Sequence, residues 1–125
     1  MITFEQERLK LQFGNEHYFY GLFGVIIKLL SVAFYHKFQD DLHITSVGRN
    51  YNKKSAHYDG DKLVSAVDIR SKDYTVDQLT WFANQNHYLA PYVDIIIEDH
   101  RMSGKTPAGG DHIHIELNPG WWVKF

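Results

Sequence analysis

Gly110-Asp111-His112-Ile113-His114-Ile115-Glu116-Leu117 is the stretch whose reading decides the fold. Polar and apolar residues alternate along it, which is the pattern of a half-buried β-strand. Successive strand side chains point to opposite faces, so His112, His114 and Glu116 share one side and Ile113, Ile115 and Leu117 the other. Two histidines flanked by carboxylates are costly to carry in a core with nothing to bind. The row is therefore either an exposed strand face or part of a ligand set. A second stretch adds weight to the ligand set: Ser55-Ala56-His57-Tyr58-Asp59-Gly60, followed by Ser65-Ala66-Val67-Asp68-Ile69, brings a third histidine and another aspartate. One His and one Asp from there, with one His from the C-terminal strand, make three ligands. That is the number a catalytic zinc takes when its fourth position is left open.

Composition narrows the class. A chain of 125 residues, 44% hydrophobic and 22% charged, fits one globular domain with a single core, spanning residues 1–125. The net charge of −2 gives no electrostatic case for nucleic acid as a partner. With no cysteine in the sequence, disulfides are excluded and any metal site must use nitrogen and oxygen ligands. Aromatic residues at 15% suit either an aromatic-rich core or a groove that grips a substrate.

Working outward along the chain, residues 1–15 show no clear period and read as an irregular or short-stranded lead-in. They do not resemble a secretory signal, since Glu5 and Glu7 stand where a basic region would be. Residues 18–38 form a nearly continuous apolar run interrupted by Lys28, about the length that raises a transmembrane reading. The mid-span Lys, the two glycines and Ser31 argue instead for a buried core helix, with Lys28 and Ser31 on its wet edge. Gln39-Asp40-Asp41 ends it. Residues 42–47 alternate and are β-branched, so they read as a strand, and 48–54 as a loop. Residues 64–69 read as a second strand. Thr75 and Gln78 make a capping box for a helix with Val76, Leu79 and Phe82 or Ala83 as its apolar stripe, fading near residues 86–88. After Pro91, residues 92–98 read as a mostly buried third strand. Residues 99–110 read as a polar, glycine-rich loop, and Pro119-Gly120 as a turn into an aromatic tail that folds back on the domain. The sum is an α+β domain with a central, mostly antiparallel sheet flanked by two main helices.

Ser55-x-His57-x-x-Gly60, then Ala66-Val67-Asp68-Ile69, then His112-x-His114, resembles the signature of the D-Ala-D-Ala carboxypeptidase and hedgehog-like zinc peptidases. That group includes phage endolysins that cut the peptide part of peptidoglycan. Ile44-Thr45-Ser46-Val47-Gly48-Arg49 is similar to the family's segment ending in a substrate-binding Arg. The resemblance runs in order over residues 42–117. One departure is the spacing of the first two ligands: six residues separate them in the family, whereas ten separate His57 from Asp68, so that residues 61–65 look like a small insertion. A second departure is the long 99–110 loop.

The resemblance implies zinc held by His57, Asp68 and His114, with Arg49 binding a substrate carboxylate and His112 assisting the tetrahedral intermediate. It leaves two candidates for the general base. Glu98 ends the strand before the His-x-His strand, and Asp111 lies three residues before His114. The activity implied is a zinc-dependent carboxypeptidase or endopeptidase acting on a peptidoglycan stem peptide. The alternatives are a non-catalytic binding module that keeps its metal and a structural phage component.

Overall fold

The computed structural model describes residues 1–50, 52–60 and 62–118. Its elements are β1 (Ile2–Phe4), α1 (Glu7–Phe13), α2 (Gly21–Phe38), β2 (Leu42–Ser46), β3 (Ala66–Arg70), α3 (Val76–Leu89), β4 (Val93–Glu98), α4 (His100–Ser103) and β5 (His112–Leu117). The strands form a five-stranded sheet in the order β1-β2-β3-β5-β4. The sheet is mixed, with β1 parallel to β2 and β4 antiparallel to β5, and the fold is α+β. The chain divides into two compact units, residues 1–67 and 68–125, with the division inside β3. The turn at Pro119-Gly120 and the aromatic tail lie outside the described residues.

In the first unit, β1 is the short strand anticipated for the lead-in. It sets Ile2, Thr3 and Phe4 beside Leu42, His43 and Ile44 of β2. Helix α1 is not anticipated, because it buries only Leu9 and its N-cap, Gln6, makes no side-chain cap. Helix α2 buries Phe23, Ile27, Leu30, Ser31 and Phe34, a spacing of three and four that lines one helical face. Ser31 is thus in the buried stripe, not on the wet edge. Its hydroxyl donates to the Lys28 carbonyl at 2.7 Å, which satisfies it inside the helix. Leu22, Val25, Leu29 and Val32 remain exposed on another face. By length and mean hydropathy of 1.4 the helix could cross a membrane, and 33% of that span is buried within the protein. It ends where Gln39 turns left-handed at φ 55° and returns its N–H to Tyr35 O.

Phenylalanines supply much of the core of this unit. Phe4, Phe13, Phe19 and Phe23 form a chain of ring contacts at 5.6, 4.8 and 5.6 Å. Phe19 and Phe23 are fully buried, and complete burial of a Phe stabilises by roughly 1.5–3 kcal/mol. The segment at Phe19 also accounts for the insertion seen in the sequence. Val64 is buried and forms a parallel bridge with Phe19, donating to Tyr18 O and accepting from Tyr20 N, each at 2.9 Å. Val64, one of the extra residues, is thereby stitched to the segment just before α2, where its backbone groups find partners.

Tyr18 also fixes the loop that carries Arg49 and His57. Its hydroxyl donates to Asp59 Oδ2 at 2.6 Å, and burial together with that carboxylate pushes the phenol far above its usual pKa. A Cβ on Gly48 would lie 2.1 Å from this hydroxyl. Gly48→Ala must therefore displace Tyr18 or the backbone, an overpacking that costs roughly 1–3 kcal/mol. Chemical denaturation should show the midpoint falling accordingly; an unchanged midpoint would mean that Tyr18 relocates freely.

In the second unit, the Thr75 and Gln78 capping box is present in both directions. Leu79 and Phe82 are fully buried, and Phe82 stacks on Tyr74 at 5.9 Å. Val76, by contrast, is 51% exposed and Ala83 is exposed, so the stripe is narrower than the sequence suggests. Strand β4 ends the sheet order, and Asn86 of α3 accepts the Ile95 N–H at 2.8 Å, which occupies one outward group of an edge strand. The loop after β4 is more ordered than expected. Asp99 caps the short helix α4, which closes at left-handed Gly104.

Candidate metal and catalytic site

His57 is 2% exposed and its backbone is held on both sides. Its carbonyl accepts from Arg49 N at 2.9 Å and its N–H donates to Ser55 Oγ at 3.2 Å. The ring Nδ1 lies 2.5 Å from Val47 O. A carbonyl can only accept, so Nδ1 carries the proton and the ring's lone pair is on Nε2. This is the usual second contact of a metal-ligating imidazole. Ser55 Oγ also accepts from the Arg49 guanidinium at 2.8 Å. One hydroxyl therefore orients both the proposed substrate arginine and the backbone of the proposed ligand. Gly60 completes the motif for steric reasons, since a Cβ there would lie 2.2 Å from the Tyr58 ring.

In the second unit, β5 shows the alternation read from its sequence, with Ile113, Ile115 and Leu117 buried and His112, His114 and Glu116 partly open. His114 Nδ1 meets Asp68 Oδ1 at 2.8 Å. Its Nε2 faces Glu116 Oε2 at 3.6 Å. Burial of the ring works against its charge, but the Asp68 and Glu116 carboxylates outweigh that and raise its pKa.

The two candidate bases are treated differently by the fold. Register pairs Glu98 with His112 and Ile96 with His114, and directly opposed residues point to the same face. Glu98 therefore stands on the face that carries both histidines, with its Oε2 at 3.7 Å from His112 Nε2. Asp111 precedes the strand and turns to His100. It accepts the His100 N–H at 3.0 Å and pairs with its Nδ1 at 2.5 Å. His100, for which the sequence suggests no partner, is thus the anchor of Asp111. The two lie eleven residues apart across a loop, and no local pattern signals such a pair. His112 Nδ1 donates to Gly110 O at 2.7 Å, which fixes the ring with Nε2 toward Glu98.

Among the described residues, the second unit carries two sets of side chains of metal-ligating type: Asp68 with His114, and Asp99, His100 and Asp111. The second set is already satisfied internally. Asp99 Oδ1 accepts from Arg101 N and Nε, and its Oδ2 from Ser71 Oγ and the Arg101 guanidinium, at 2.7–3.0 Å. Arg101, foremost, and Ser71 hold that fully buried carboxyl far below the usual carboxylate range. The Arg101 guanidinium also reaches Ser71 O and Tyr74 O, so this cluster is a clamp on the loop. The first set offers an imidazole and a carboxylate, and His57 of the first unit offers a further imidazole; these are the donors zinc accepts when no thiolate is present.

No protein-family model, curated protein or solved structure matches the chain.

Proposed function

We propose that this protein is a zinc-dependent peptidase with a hedgehog/D-Ala-D-Ala-peptidase-like site, cutting the peptide part of peptidoglycan as a carboxypeptidase or endopeptidase. The observation that carries this reading is the pairing of His114 with Asp68 in one unit, together with the buried His57 of the other with its tautomer set by a carbonyl; the proposal makes these three one donor set. Zinc in such a set supplies a Lewis acid and activates water near neutral pH. Glu98 accepts the proton of the attacking water and delivers it to the leaving amine. His112, its ring held through Nδ1 by Gly110 O and standing beside Glu98, assists the tetrahedral intermediate. Arg49, oriented by Ser55, pairs its guanidinium fork with a free carboxylate of the stem peptide.

The test is digestion of purified peptidoglycan by the zinc-loaded protein, with released peptides identified by mass spectrometry. Loss of a terminal D-Ala or a new internal cut is the expected result, and the mass identifies the bond. A zinc-loaded protein that leaves wall peptides intact is a binding module, and the enzymatic reading fails.

A further inference from the structure

On the zinc reading the two imidazole ligands present opposite ring nitrogens, and the fold has to set each separately. For His57 the proton sits on Nδ1, where the Val47 carbonyl receives it. For His114, Nδ1 is the nitrogen beside Asp68 Oδ1 and, a carboxylate being an acceptor, donates to it in this structure; a metal taking the place of that proton needs the ring's proton on Nε2. The group facing Nε2 is the Glu116 carboxylate at 3.6 Å. A carboxylate accepts and does not donate, and closing this gap to a hydrogen bond takes a shift of roughly half an ångström. Glu116 is held where it can do this by β5 itself. Residues two apart share a face, and Glu116 is paired across to Asp94 of β4.

From this geometry we infer that Glu116 is a positioning residue, receiving the His114 Nε2 proton so that Nδ1 is the nitrogen presented to the metal. The inference rests on the zinc reading above and adds a residue to it. A carboxylate behind a ligating imidazole fixes ring orientation and raises ligand basicity, and removing such a partner typically lowers metal affinity about 10–100-fold. Asp94 supplies the control, because it puts a similar charge on the same face, directly across from Glu116.

Zinc affinity is measured by competition with a chromophoric chelator in the full chain. Glu116→Leu should bind about 10–100-fold more weakly, Glu116→Gln, which keeps an acceptor oxygen, should recover most of the loss, and Asp94→Asn should leave affinity within about twofold. Nitrogen-15 spectra of the zinc-loaded parent should place the His114 proton on Nε2. The thermal midpoint of metal-free Glu116→Leu should match the parent; should that variant fail to fold, the Glu116→Gln and Asp94→Asn affinities and the parent spectrum still decide. Parent affinity in Glu116→Leu, equal losses in Glu116→Gln and Asp94→Asn, or the proton found on Nδ1 would each overturn the inference while leaving the zinc site standing. A parent protein that takes up no zinc removes the proposed function itself.

Discussion

His57→Ala and His114→Ala are each expected to abolish the binding of one zinc per chain, read by elemental analysis of the purified protein and by zinc titration after chelator treatment. Each substitution takes away one of three donors, and two remaining donors do not make a structural or catalytic zinc site. Asp68→Ala should behave similarly, whereas Asp59→Asn should retain metal. That contrast matters because the ten-residue spacing between His57 and Asp68 leaves room for another acid to be the ligand. Asp59 is already engaged by the Tyr18 hydroxyl at 2.6 Å, and Asp61 lies outside the described residues. If no transition metal is found and zinc titration shows no tight site, the zinc reading is wrong.

Much of this was legible because the relevant signals are local. The alternation of residues 112–117 predicts a buried Ile113, Ile115 and Leu117, and all three are buried. The Thr75 and Gln78 pair predicts a capping box, and both of its hydrogen bonds form. What sequence reading missed depends on contacts made at a distance. Helix α1 has a single buried residue, so it carries no periodic stripe to read. The short α4 had a readable signal, Asp99 at one end and Gly104 at the other, but four residues make no period. Glu116 was visible on the ligand side of the strand, yet its relation to His114 depends on which nitrogen of the ring faces it. The parallel pairing of β1 with β2 likewise joins residues about forty positions apart, and nothing in Ile2–Phe4 specifies its partner.

The division of labour between the two acids gives the second large effect. Glu98→Gln should keep zinc bound while lowering turnover by about 10²–10⁴, the usual worth of a positioned proton acceptor. The amide preserves the size of the side chain beside His112 and removes only its capacity to take up a proton. Asp111→Asn should do much less to turnover, because Asp111 is committed to the His100 backbone and imidazole. Its effect should instead appear as a loosened 99–111 loop, with faster amide exchange there. Assays should compare a substrate bearing a free carboxylate with its amidated form, since Arg49→Ala should weaken the first far more than the second. An interchange of the two acid results would make Asp111 the base and require His100 to release it during turnover. If both variants turn over a confirmed substrate at the parent rate, neither acid is the base, and the proton has to be taken by a group on another element.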